Sequence, residues 1–457
     1  MRDVLKKILN DLSSECDYLE IRLEESENTK IIFSGHSLDE VSKNLEKGGF
    51  VRALYKGGWG EVSFNNLNDI EQYAKAAIDQ AKKVGKDKSY LAPAPVVEDC
   101  VRLKLKKDPR EVPTEEKISI LKAYNEIVLN YHEDVKSSNI RYFDKFSYLT
   151  FANSEGTYIY QEKMDLGGSI SAVTVRGENR QSCAAGFGST NDFGVVIGLE
   201  EEVKKACQIA VELLSAPKVK SGQYTIIADP DLTGVFVHEA FGHLSEGDNV
   251  YESKSLQELM PIGKEIGSSI LNIYDSGTVE GTRGYLVYDD EGVKTEKTYL
   301  IEEGKLVGRL HSRETAGKMG EKATGNARAI SYKFPPIPRM RATVIEAGSS
   351  TFEDMIKDIK VGILACKSKG GETNGEMFTF SSSYAYMIRD GRVAELVRDV
   401  NLTGNVFTTL MNIDMVGKEV FIHDAGGGCG KGEQFPLPVS DGGPYIRIQN
   451  VVVGGEE

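Results

Sequence analysis

Two histidines and a glutamate stand close together in Val237-His238-Glu239-Ala240-Phe241-Gly242-His243. Two imidazoles can share a divalent metal, and a neighbouring carboxylate can serve as general base. The set therefore points to metal-assisted hydrolysis. The spacing is H-E-x-x-x-H, one residue longer than the H-E-x-x-H of zinc peptidases. Histidines four apart share a helix face; five apart, they diverge by about 140° at about 100° per residue. A π-type turn absorbs one extra residue and restores a common face, so a bulge or helix end is expected between His238 and His243. Gly242 is expected to ease that distortion.

Catalytic zinc usually takes three protein ligands and a water. Cys429 is the leading third candidate, in Asp424-Ala-Gly-Gly-Gly-Cys429-Gly430-Lys431-Gly432. Its glycines would let the backbone approach closely and aim one thiol inward. A His₂Cys set suits zinc better than magnesium or calcium. His423 is the rival third ligand. The glycine run is not a phosphate-binding loop, because Ala425 replaces its first glycine and Gly432 its Ser/Thr. His36, His132 and His311 are isolated and read as polar or surface residues.

The elements that must position these groups follow from the flanks. Tyr224–Ala228 reads as a buried strand. Asp229-Pro230 offers an N-cap and an N1 proline, Leu232, Val235 and Phe236 a core-facing stripe, and Gly247 a stop. Upstream, an amphipathic helix (Met1–Glu15) precedes strands at Tyr18–Glu24, Lys30–Ser34, Phe50–Tyr55 and Glu61–Phe64. A helix follows, with Asn68 and Glu71 as a capping box. Residues 86–112 read as a proline-bearing linker, with the basic run Arg102–Lys107 on a solvated face. A helix at Pro113–Asn130, strands from Ser137 to Thr190 and a helix through Leu199–Leu214 complete the first region. Past the metal helix come short strands with glycine turns, including Tyr285–Tyr288, Leu306–Leu310, Met377–Ser381 and Tyr384–Arg389. The expected fold class is α+β: N-terminal α/β modules over 1–217, subdivided near 86–112, then a β-rich catalytic domain over 218–457. The latter is mostly antiparallel, barrel- or sandwich-like, and carries the distorted zinc helix.

The chain resembles the TldD/PmbA family of zinc metallopeptidases, in its TldD branch. The matching stretches are His238-Glu239-Ala-Phe-Gly-His243 with Glu246-Gly247-Asp248; Thr324-Gly325-Asn326-Ala-Arg328; Pro335-Pro-Ile-Pro338-Arg339-Met340; Gly428-Cys429-Gly430-Lys431-Gly432 with Pro436-Leu-Pro438; and the closing Val453-Gly454-Gly455. The resemblance implies Zn²⁺ held by His238, His243 and Cys429, with Glu239 as catalytic base. It also implies short or unfolded peptide substrates and assembly with a PmbA/TldE-type paralogue. The PmbA branch lacks the zinc motif, which is intact here.

Composition bounds the rest. With 457 residues, more than one core is expected. A net charge of −14 argues against a partner with a phosphate backbone. No apolar run is long enough for a membrane span, and the N-terminus lacks a secretory h-region. Six scattered cysteines without CxxC spacing fit a reducing cytoplasm. Arg328, Tyr332, Arg339 and His311 are possible oxyanion donors. Two other function classes share these features: a zinc amidase acting on non-peptide amides, and a non-enzymatic subunit that binds a peptide or partner. Binding alone needs no base, so the intact Glu239 favours an enzyme.

Overall fold

A seven-stranded, mostly antiparallel sheet forms the first half of the chain in this computed structural model, which describes residues 1–454. Gly455, the last residue of the closing motif, lies outside the described residues. The strands are β1 (Tyr18–Ser34), β2 (Ser37–Tyr55), β3 (Gly58–Phe64), β4 (Glu98–Val101), β5 (Val135–Asn153), β6 (Tyr158–Arg176) and β7 (Asn179–Ser189). Their order is β3-β2-β1-β5-β6-β4, with β7 also on β6.

The sequence suggested two strands where β1 runs unbroken. Glu25–Thr29 carries no apolar alternation, yet it is laddered to β2 on one side and β5 on the other. Pairing on both edges, not hydrophobic pattern, holds it extended. The helix Ile70–Val84 (α2) forms as expected, but its N-cap is Asp69 and no capping box closes. The Asp69 carboxylate instead accepts a bond from Asn66. α2 buries Ile70, Ala74, Ala77, Ile78 and Ala81 in the same cluster as Leu5, Ile8, Leu9 and Leu12 of the N-terminal helix α1 (Arg2–Leu12). Gly60 lets α2 lie close on β3, since a Cβ there would lie 1.9 Å from the Ala77 carbonyl oxygen.

A closed five-stranded barrel forms the core of the second half. Around it run Val361–Asn374, Gly222–Ala228, Ile446–Gly454, Asn401–Asn405 and Met377–Arg389, which pairs back to the first. All pairings are antiparallel except that of Gly222–Ala228 with Val361–Asn374. Successive strand residues face opposite sides. Ile226 and Ala228 join one apolar cluster with Phe236 and Phe241, whereas Ile227 joins another with Tyr142, Phe146, Leu166 and Cys207. The second cluster ties the barrel to the first sheet and its helices Thr114–Leu129 and Glu200–Leu213.

A mixed six-stranded sheet flanks the barrel; Ile273–Ser276, Ala342–Ile345, Ser440–Gly443 and Phe421–His423 are consecutive in it. Three expectations change here. Met377–Arg389 is one strand. Tyr285–Tyr288 is not a strand: the Leu286 amide bonds to the Gly277 carbonyl and the Tyr288 amide to the Gln161 side chain. Leu306–Leu310 leaves its strand after Leu306, and Leu310 instead exchanges backbone bonds with Ser245 and Gly247, just past the metal-helix segment. The linker-like residues 86–112 also dock: β4 pairs with β6, and Ala92 exchanges hydrogen bonds with Arg313.

Candidate metal centre

The site grows from the strand Gly222–Ala228. Asp229 follows in extended conformation, and its carboxylate accepts from the Leu232 amide at 2.9 Å with Pro230 at N1. The resulting helix, Pro230–Val237, sets Phe236 edge-on to Phe378 and Phe380 in the barrel core. At His238–Gly242 the backbone widens into a π-turn, closed by the His243 amide on the His238 carbonyl, and a short 3₁₀ turn follows. The extra residue is thus absorbed where the spacing required it.

Gly242 serves a different purpose from the one expected. Its backbone is ordinary right-handed helix, but a Cβ would lie 2.0 Å from the Met340 sulfur. Space, not backbone freedom, demands glycine there. Gly247 likewise does not stop the helix. The chain turns extended at Glu246, and Gly247 opens a new helix, pressed against His311.

Cys429 arrives on a small hairpin, Cys429–Lys431 with Gln434–Leu437. Gly428 lets the hairpin close, because a Cβ there would meet Leu437 and Pro436 within 3 Å. Arg339, fully buried, donates to the Cys429 carbonyl at 2.8 Å. Arg283 donates to the carbonyls of Ala425 and Gly427 and pairs with Asp165 of β6, so the first sheet helps to fix this loop.

One ligand-capable atom from each of His238, His243 and Cys429 lies within 4.8 Å of the others. The Cys429 Sγ is 3.2 Å from His243 Nε2. Glu239 Oε2 is 3.7 Å from the same nitrogen, and its side chain keeps some solvent exposure. His243 Nδ1 meets Glu246 Oε2 at 3.2 Å. Glu246 is fully buried and receives Lys431 Nζ at 3.0 Å, which in turn meets Asp248 at 2.6 Å. A carboxylate on the far nitrogen fixes a histidine's tautomer and leaves the near lone pair for a cation.

Electrostatics reinforce this. Burial alone would raise the Cys429 thiol, but the bonds from His238 and His243 pull it down to about 5, giving a thiolate at neutral pH. Burial acts to lower His243, yet the thiolate and Glu246 raise it to about 10. His238 is raised by the same thiolate against its burial, and its Nδ1 is buried without a partner. Burial raises Glu239, with the two imidazoles opposing. A soft anionic donor and two imidazoles competing for protons is the chemistry of a transition-metal site, and a divalent ion would displace those protons. The donor set therefore fits a metal of the zinc type.

Sequence models of the PmbA/TldA metallopeptidases match nearly all of the chain: domain 1 over residues 19–81, the central domain over 107–215 and the C-terminal domain over 221–455. The chain belongs to the PmbA/TldD metallopeptidase family. A protein named as a metalloprotease in Synechocystis sp. is 42% identical over 453 residues, covering 99% of this chain and 98% of that one. A zinc metalloprotease TldD homolog of Saccharolobus solfataricus is 29% identical, covering 91% of each. The structure of TldE from Thermococcus kodakarensis superposes with a TM-score of 0.75 at 19% identity, covering 99% and 100%. That last likeness concerns the fold.

In this PmbA/TldD chain, the structure brings His238, Glu239, His243 and Cys429 together and sends the rival His423 elsewhere. His423 sits on a strand opposite Asp441, near Asp231, Asp424 and Lys367. His311 is buried between Thr315 and Glu321, each at 3.0 Å. Tyr332 bonds Asn65 in the first half, and Arg328 holds the carbonyls of Met340 and Pro438. Glu246 had a readable signal, its place three residues past His243 on the same helical path. Arg283 and the buried Asp441, whose carboxyl burial raises to about 7, had none.

Proposed function

We propose that this metallopeptidase is a zinc enzyme of the H-E-x-x-x-H type that cleaves short or unfolded peptides. His238, His243 and Cys429 hold the ion, and Glu239 is the general base. The convergence of three donor atoms within 4.8 Å, with Glu239 beside them, carries this reading. Zinc, when bound, supplies Lewis acidity that polarises a scissile carbonyl and acidifies water. Glu239, partly open to solvent, takes the water proton and returns it to the leaving amine. Burial raises its basicity above that of a free carboxylate, which favours it as a proton acceptor. Glu246 and Lys431 keep the His243 ring in register, and Arg339 keeps the Cys429 backbone in place. His238 and Cys429 are nearly inaccessible, which supports an extended chain as substrate over a folded one.

The test is zinc content per chain together with cleavage of an unstructured peptide, for wild type and Cys429→Ala side by side. About one zinc and cleavage in wild type, both lost in the variant, is expected. Equal zinc in both would remove Cys429 from the ligand set.

We further propose assembly with a PmbA/TldE-type paralogue in the cytoplasm. The family resemblance supports the partner. So does the outer edge of β2: among the described residues, no strand covers Ser37–Gly48, and Leu38, Val41 and Leu45 are exposed there. The six free cysteines support a reducing compartment. No helix among the described residues is long and apolar enough to cross a membrane.

A further inference from the structure

A cleft of 490 Å³ lies between the first sheet and the barrel half. Small-ligand pockets are of this size, about 300–1,000 Å³. Phe143 and Leu149 of β5 line one side; Leu286, Ile330, Pro436 and Leu437 line the other. Leu437 stands opposite Cys429 on the antiparallel hairpin. Residues directly opposed in such a pair set their side chains on one face, about 5 Å apart. The cleft therefore begins one side chain away from the thiol of the candidate metal centre.

Charged groups also line the cleft, but they are spent on one another. Its three acidic side chains each hold a basic one: Glu24 with Lys145 at 3.2 Å, Asp290 with Lys163 at 3.3 Å, and Asp165 with Arg283 at 2.6 Å. Phe143 lies over the Arg283 guanidinium at 5.3 Å and screens it further. Lys30 turns away to Glu40 at 2.8 Å. Arg22 donates to the carbonyls of Ser331 and Phe334, and Arg328 to those of Met340 and Pro438. The remaining N–H groups of Arg22, at Nε and Nη1, are enclosed and not turned to a ligand. A charged ligand would have to break one of these pairs and leave its partner buried and uncompensated, whereas an apolar ligand displaces only water.

We propose that this cleft is a specificity pocket that takes a bulky apolar side chain of the peptide substrate and rejects charged ones. Walled by both halves of the chain, it admits a side chain and not a folded surface. Its place beside the Cys429 hairpin puts that side chain within reach of a peptide held at the metal. The choice of a peptide rests on the peptidase reading; bulk and lack of charge rest on the cleft alone.

The experiment is calorimetric titration of the full-length, chelator-treated chain with capped pentaalanine and with its variants carrying phenylalanine, lysine or glutamate at the centre. The phenylalanine peptide is expected to bind about ten-fold more tightly than pentaalanine, a difference of about 1.4 kcal/mol that burial of one such side chain supplies. The lysine and glutamate peptides are expected to bind no better than pentaalanine. Ile330→Trp, which fills the cleft from a half-buried position, is expected to abolish the preference. Phe143→Ala, which removes part of one wall, is expected to weaken it about three-fold, and carries the test if Ile330→Trp does not fold. Equal affinity for the phenylalanine and alanine peptides, or no binding of either, overturns the proposal. So does a lysine or glutamate peptide that binds as tightly as the phenylalanine one, or a folded Ile330→Trp that keeps the full preference, which would place the pocket elsewhere. Cleavage of the same peptides by the zinc-loaded chain is read separately. Discrimination without cleavage would sink the peptidase reading and leave the pocket; cleavage without discrimination would do the reverse.

Discussion

Two buried charge clusters differ in kind: the candidate metal centre, and the junction where the first sheet meets the barrel half. At the junction, Arg52 of β2 is flanked by Glu20 at 2.9 Å and Glu291 at 2.6 Å and lies over the Trp59 ring at 4.2 Å. Arg313 meets both oxygens of Glu155 and donates its backbone amide to Glu291. The charges of this Arg52–Arg313 network are matched by partners already in the chain. At the candidate metal centre the groups turn on one another: His238 Nδ1 has no partner, and a thiol and two imidazoles crowd one point. Burial is similar; closure differs. A closed network fastens structure, whereas an open one is completed by something the chain does not contain.

The sharpest way to break this contrast is Glu239→Gln. Cleavage of an unstructured peptide should fall by about 10²- to 10⁴-fold, while zinc per chain stays unchanged. Retained activity with zinc bound would falsify the base assignment. Next is Arg52→Met. It leaves Glu20 and Glu291 buried without their cation and should cost about 3–5 kcal/mol in denaturant unfolding. Zinc content of the folded fraction should not change; a loss would mean that the two clusters are one unit.

Glu246→Gln keeps shape but removes the charge that orients His243. Zinc affinity, measured by competition with a chelator, should weaken about 10- to 100-fold. A smaller change would show that the His243 ring is held by packing alone. The smallest effect concerns Asp290. Burial opposes its ionisation, but Lys163, Arg22, the Ala329 amide and Arg328 hold its carboxyl down to about 2. Its folded-state value is below the unfolded one, so its contribution is present above about pH 4 and lost as pH falls toward 2. Asp290→Asn should therefore cost about 2 kcal/mol near neutral pH, and the wild-type advantage should vanish by about pH 2. A constant difference across that range would assign Asp290 a role other than charge.

The candidate site was more legible in the sequence than the fold around it. His238, Glu239 and His243 lie on one local path, and helix geometry alone demanded a bulge or helix end between them, which is met by a π-turn. β1 was only half legible, because hydrogen bonds on both edges, and not side-chain pattern, keep Glu25–Thr29 extended. Leu306–Leu310 was misread as a strand because its partner is the Ser245–Gly247 segment, remote in sequence. Asp289-Asp290-Glu291-Gly292 has the composition of a turn, and Gly292 takes positive φ there. Its burial as the acidic side of the junction was not.

What the sequence determined by itself was local: the capped helix at Asp229-Pro230, the misfit of five-residue histidine spacing with a regular helix, and a thiol among glycines. These depend on bonds and periods within a few residues. Tertiary structure decided that Cys429 and not His423 meets the histidines, that Gly242 exists to admit Met340, and that Arg22 of the first sheet reaches the carbonyls of Ser331 and Phe334. Each is a relation between segments far apart in the chain. It is fixed by how the barrel and the first sheet pack together, and no local periodicity records that packing.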